Sequence, residues 1–140
     1  MYYDDENRNE NREMVQERRT EMREEEKKKP LSEDADAFDK FVEGKHGYVV
    51  TTSLSQDDDM EAEMNFLFNE PKAASYDRYV KTASSSSSKA MKAFCLDNIH
   101  PEQRRDLDEK LSKWPALGVS LGEKLLYMLG LSKTTRVRKL

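Results

Sequence analysis

The chain has few of the residues that staple small domains or build reactive sites. Cys95 is the only cysteine among 140 residues, so an internal disulfide and a cysteine-based metal site are both excluded. The two histidines, His46 and His100, lie far apart, and we find no Gly-rich phosphate loop, nucleophile elbow or paired metal ligands. We therefore predict a non-enzymatic protein with no cofactor, no metal and no evident small-molecule substrate.

Long apolar runs are also missing. The longest apolar cluster, residues 125–129, is far shorter than the roughly 20 residues that a membrane-spanning helix needs. The chain opens with acidic residues after Tyr2 and Tyr3, and no apolar run follows, unlike a signal or transit peptide. We expect a protein that is neither membrane-spanning nor secreted, hence intracellular: cytoplasmic, nuclear or part of a particle.

Charged residues, in contrast, are abundant. They make up 37% of the chain and hydrophobic residues 36%, against about 25% and 45–50% in typical soluble domains. This composition is typical of a partly disordered chain with a modest folded portion. Residues 31–88 carry 12 acidic and 5 basic residues, whereas residues 89–140 carry 6 acidic and 11 basic ones. An acidic middle and a basic end favour self-association, internal docking or an anionic partner.

Residues 1–30 are predicted to form a charged arm, either helical or disordered. The segment is free of glycine and proline until Pro30 and rich in Glu, Arg and Lys, which are good helix formers. After the tyrosines, its apolar residues are only Met14, Val15 and Met22, which are too few for a true coiled-coil seam. Two interpretations stay open for this coiled-coil-like arm, namely docking on a partner and a solvated tail.

Residues 31–83 are predicted to be an acidic segment with two short amphipathic helices. Phe38, Phe41 and Val42 follow helical spacing, and Gly44 stands where that helix should end. The second predicted helix begins at Ser55 and places four apolar residues on one face: Met60, Met64, Leu67 and Phe68.

The extended stretch 48–54 lies between these two helices. It is rich in β-branched residues, but no second strand is evident. It is therefore predicted to be a connector, or a strand completed by another chain. The five serines at 84–88 are predicted to be a flexible linker that separates this acidic segment from the rest.

Residues 89–132 are predicted to fold as a compact unit of about three short helices, followed by a basic tail at 133–140. Pro101 suits the first position of the second helix, and Ser120 with Glu123 matches a capping box for the third. The third helix carries apolar residues over too wide an arc for so small a unit to bury. We therefore expect part of that helix to serve as an interface.

The predicted fold class is mainly α, a small C-terminal helical unit preceded by extended, partly disordered acidic or charged helical arms. The favoured function is an interaction subunit, adaptor or assembly factor that docks into a larger complex, or self-associates, through amphipathic helices. The candidate partner-binding residues are the apolar members of those helices: Phe38, Phe41, Met60, Met64, Leu67, Phe68, Leu125, Leu126 and Leu129.

The alternative is non-specific nucleic-acid binding through the basic C-terminal third. A helix over residues 121–129 would carry a single cation, Lys124, and is otherwise too apolar to read a major groove. Contacts would therefore be to phosphates and steeply dependent on salt. The candidate anion-binding residues are cationic: Arg104, Arg105, Lys133, Arg136, Arg138 and Lys139.

Overall fold

The computed structural model describes residues 29–57 and 60–140, so the predicted N-terminal arm lies outside it apart from Lys29 and Pro30. Residues Leu31–Leu140 form one unit that is rich in helix and contains a small two-stranded sheet. The elements follow in chain order: α1 (Ala35–Val42), β1 (Tyr48–Asp57), β2 (Met60–Phe68), α2 (Ala73–Ala83), α3 (Ser87–Asn98), a 3-10 turn (Pro101–Gln103), α4 (Arg104–Lys113) and α5 (Leu117–Met128).

The sheet corrects the predicted second helix. Residues 60–68 form β2, which pairs antiparallel with β1 from Tyr48 opposite Phe68 to Leu54 opposite Ala62. Met64, Phe66 and Phe68 alternate onto one face of β2 and are wholly buried, while Leu67 on the other face is 2% exposed. A strand buried on both faces has consecutive apolar residues, which also satisfy helical spacing. The stretch 48–54 thus has its second strand within the same chain.

The serine run 84–88 is not a linker between independent units. Ser86 is the N-cap of α3, where its side chain accepts a hydrogen bond from the Lys89 backbone N–H at 3.4 Å. Ser87 and Ser88 form the first turn of that helix. The predicted separation of an acidic half from a compact basic third is therefore wrong, because one core joins β2 to the C-terminal helices. Its buried members are Met64, Phe66, Phe68, Phe94, Cys95, Ile99, Leu107, Leu111, Leu117, Leu121 and Leu125.

The third C-terminal helix, α5, begins at Leu117 rather than at the predicted Ser120 cap. The Trp114 carbonyl accepts from the Leu117 N–H at 3.0 Å, so a turn after the Trp114-Pro115 step leads straight into the helix. Ser120 therefore lies inside the helix and cannot cap it. The early start buries Gly118 and Gly122, and the latter lets Met91 of α3 pack directly against the helix backbone. Within the described ranges, no helix combines the length and apolar character needed to cross a bilayer.

The edge of β2 that faces away from β1 is hydrogen-bonded by the chain itself. Gln103 is fully buried, accepts from the Leu67 N–H at 2.7 Å and donates to the Asn65 carbonyl at 3.0 Å. The Asn65 N–H donates to the Ser32 carbonyl, and the Leu67 carbonyl accepts from the His100 N–H, both at 2.8 Å. A side chain and two backbone segments thus take the place of a third strand.

Candidate functional site

Most of the predicted partner-binding residues are buried inside this fold, which corrects their assignment. Side chains that the chain's own core removes from water have no surface to offer a partner. The five in that position are Phe38, Met64, Leu67, Phe68 and Leu125. Phe41 is half-buried, with its ring edge-on to His100 at 5.1 Å between centroids. The side chain of Met60 lies outside the described part of the structure.

The remaining two predicted residues, Leu126 and Leu129, line an open groove between α2 and the end of α5. The groove has a volume of about 340 Å³. Apart from these two leucines, it is lined by Tyr76, Tyr79, Gly130 and Leu131. We call this feature the α2–α5 groove. Three of its residues remain substantially in water: Tyr76 is 42% exposed, Leu129 36% and Leu131 48%.

One wall of the α2–α5 groove is made by the way α5 ends. The Leu131 N–H donates to the Leu126 carbonyl at 2.9 Å, and the Gly130 N–H donates to the Tyr127 carbonyl at 3.2 Å. This pair of bonds is a Schellman motif, which requires a left-handed residue, and Gly130 has φ +108°. The motif turns the chain back so that Leu131 lies beside Leu126. The predicted helix end at Gly130 therefore also shapes the groove.

The opposite wall is held in place by aromatic packing. The ring of Tyr79 lies 5.1 Å from the ring of Phe94, which is 1% exposed and belongs to the core. Tyr76 lies one turn earlier on α2, with its ring 6.4 Å from that of Tyr79. Val80, one turn after Tyr76, is 47% exposed and extends the apolar surface of α2 beyond the groove. Sequence reasoning missed Tyr76 and Leu131, although the Leu-Gly-Leu pattern at 129–131 is typical of a Schellman turn.

The C-terminal stretch that forms one side of the groove is rich in basic residues. Residues 121–140 contain five basic residues and one acidic residue. The Lys124 and Lys133 ammonium groups lie over the ring of Tyr127, at 5.5 and 5.3 Å from its centroid. Three further predicted cations in the tail are exposed: Arg136, Arg138 and Lys139. The C-terminal stretch that supplies Leu126, Leu129 and Leu131 to the groove thus carries an excess of positive charge.

The other two predicted cations are bound locally on α4. Arg104 donates to the Leu96 carbonyl at 3.2 Å, and Arg105 pairs with Glu109 of the same helix at 3.5 Å. The Arg105 side chain is 93% exposed, so its ion pair contributes little.

Cys95 is a core residue rather than a reactive thiol. It is fully buried, and its Sγ donates to the Gly118 carbonyl at 3.5 Å. Burial raises the pKa of this thiol from 9.0 to about 12. Since the thiolate is the nucleophile, the Cys95 thiol is unreactive at neutral pH. Across residues 29–57 and 60–140 no three carboxylate, imidazole or thiol groups come together as metal ligands.

The fold and groove together define a small helical unit that carries one β-hairpin and one open apolar groove. The chain belongs to a domain family of unknown function, DUF6848, whose model matches residues 39–138. It is also similar to a solved structure, that of the uncharacterised protein rbstp2171 from Bacillus stearothermophilus. The two are 26% identical with a TM-score of 0.57, and the match covers 72% of this chain and 99% of the other. No curated protein is similar enough in sequence to be matched to it.

Proposed function

We propose that this protein is a non-enzymatic interaction subunit, an adaptor or assembly factor, that binds an amphipathic helix of a partner protein in the α2–α5 groove. The observation that carries the proposal is the Schellman turn at Gly130. It fixes Leu131 beside Leu126 yet leaves Leu129 and Leu131 36% and 48% exposed. Folding usually places such leucines in a core, and a rigid apolar groove left in water favours a protein ligand.

The shape of the groove favours a helix as ligand. Two helices form its sides, and a third helix can lay apolar anchors at positions i, i+3 or i+4 and i+7 between them. The volume of about 340 Å³ accommodates two or three such anchors. Tyr76 and Tyr79 provide aromatic contact area, which is enriched at the centres of protein interfaces.

The basic character of the C-terminal stretch that forms one side of the groove favours an acidic ligand. Lys124 and Lys133 border Tyr127, and the five basic residues of 121–140 outnumber its single acidic residue. Complementary charge speeds association and selects against basic partners. We therefore expect the bound helix to carry Asp or Glu on the face that looks away from the groove.

Affinity capture of partners from the native source tests this proposal with three forms of the full chain: wild type, Leu129→Ser/Leu131→Ser, and Val119→Ser. Val119 is 50% exposed on α5 outside the groove, so its substitution removes apolar surface without touching the site. We expect the wild type and the Val119 variant to retain the same partner and the double variant to lose it. A synthetic acidic helix from that partner should bind the double variant at least about tenfold more weakly.

Two results would contradict the proposal. Equal capture by all three forms would place the partner elsewhere on the chain. Capture that disappears after nuclease treatment would instead favour the alternative function, in which the exposed cations bind nucleic-acid phosphates.

A further inference from the structure

The outer edge of β1 has unpaired backbone groups in the described part of the structure. Asn65 and Leu67 of β2 direct their N–H and C=O groups away from β1, to Ser32, Gln103 and His100. Their register partners on β1 are Thr51 and Val49, so those two residues direct their own groups away from β2. By alternation along the strand, Ser53 and Ser55 do the same. The hairpin therefore offers four donors and four acceptors along one edge.

From Tyr48 to Leu54, the described residues provide none of the features that usually protect the free edge of a strand. Between Tyr48 and Gln56 there is no charged residue and no proline, although 37% of the chain is charged. The register shift between Ser55 and Asp57 lies at the far end of the strand, next to the turn. Natural proteins block free edges with Lys, Pro, bulges or a covering loop. An edge without these features can accept another strand.

The pattern of side chains shows which strand fits. A two-fold axis perpendicular to the sheet at Thr52 would place β1 of a second copy antiparallel to this β1. Thr51 of one copy would then lie opposite Ser53 of the other, and Val49 would lie opposite Ser55. All four direct their backbone groups outward, so the hydrogen bonds match in both directions. On the other face the same register sets Val50 opposite Leu54, and both are half-buried apolar residues that pack at the margin of the core.

We propose that β1 pairs antiparallel with β1 of a second copy, so that two hairpins form one continuous four-stranded sheet. Residues 48–56 are complementary to themselves, because none of them is charged and because apolar residues lie opposite apolar residues on the core side. This surface is separate from the α2–α5 groove and does not depend on the function proposed for that groove.

Light scattering after size-exclusion chromatography tests the pairing on the full chain. We expect the wild type, at high micromolar concentration, to have twice the mass of the 16.3 kDa chain. The Thr51→Lys/Ser53→Lys variant sets lysines opposite lysines at two places in the seam, which should weaken association by about tenfold or more. The control Val119→Lys/Ser120→Lys adds the same charge on exposed positions of α5 and should remain dimeric. Circular dichroism confirms that each variant is folded.

A charge-swap experiment identifies the surface itself. Mixing the Thr51→Lys/Ser53→Lys chain with a Thr51→Glu/Ser53→Glu chain should restore a mixed dimer, because opposite charges then face each other across the seam. A wild type that stays monomeric would overturn the proposal. So would a lysine variant that dimerises as tightly as the control, or a mixture of folded variants that fails to associate.

Discussion

Gln103 should be the most sensitive polar position in this fold. It is fully buried and replaces a neighbouring strand for β2, accepting from the Leu67 N–H and donating to the Asn65 carbonyl. Replacing it with leucine keeps the approximate volume but leaves the buried Leu67 N–H and the partly buried Asn65 carbonyl without partners. Each unpaired group costs about 1–3 kcal/mol, so Gln103→Leu should lower the free energy of unfolding by about 2–6 kcal/mol.

The Gln103→Glu variant separates hydrogen bonding from packing. One carboxylate oxygen can still accept from the Leu67 N–H, but the other faces the Asn65 carbonyl, where the amide used to donate. When protonated, the carboxyl group can donate to that carbonyl. The folded state therefore holds the proton more tightly than the unfolded state, in which the pKa of Glu is about 4.3. The defect relative to wild type should thus be smallest below that pKa and grow as the pH rises above it.

Urea unfolding followed by circular dichroism, at about pH 4 and pH 7, measures both effects. Asn69→Asp is the matched control, because it makes the same amide-to-acid change at an exposed position nearby. The interpretation of Gln103 as a replacement strand would be refuted if Gln103→Leu unfolded at the wild-type urea concentration. It would also be refuted if the glutamate defect were equal at the two pH values.

Three further predictions concern named positions. Gly130→Ala should lower the free energy of unfolding by at least about 1 kcal/mol and abolish ligand binding in the groove. The control is Gly44→Ala, which has φ +71° and equal space for a Cβ. It should cost a similar amount and leave binding intact. Gly122→Ala should destabilise the fold because its Cβ would collide with the Met91 sulfur. In a double-mutant cycle measured by urea unfolding, adding Met91→Ala should recover much of the lost unfolding free energy. The Cys95 thiol should react with an aromatic disulfide only as fast as the chain unfolds, and equal reactivity in native buffer and in urea would contradict this. Because burial raises the pKa of this thiol to about 12, the Tm should fall as the pH rises from 9 to 12.

Local helix signals in the sequence predicted much of the fold. The ends of helices near Gly44 and Gly130, and the turn that begins at Pro101, depend on backbone preferences that single residues carry. The strand β2 was missed because Met64, Leu67 and Phe68 fit helical spacing, while the alternation that includes Phe66 fits a strand equally well. Only the pairing with β1 and burial on both faces decide between the two, and both are tertiary effects.

The candidate site was predicted only in part for a similar reason. The apolar residues of α5 span a wider arc than a small unit can bury, and this predicted Leu126 and Leu129 as binding residues. The same pattern could not show that Tyr76 lies opposite them. That neighbour depends on how α2 packs on α3 through Tyr79 and Phe94. Which apolar residues face water is decided by such packing, so five of the nine partner-binding candidates became core instead.

The hydrogen bonds that Gln103, Ser32 and His100 make to β2 also limit how far assembly can proceed. Because the outer edge of β2 is already hydrogen-bonded within the chain, each protomer has one free strand edge among its described elements, that of β1. Pairing two protomers through β1 uses both of these free edges. Association through β1 therefore terminates at a closed pair instead of propagating as a filament. The backbone bonds from Ser32 and His100 would keep the edge of β2 closed even without the Gln103 amide, so loss of that amide should weaken the fold without adding a second site for strand pairing.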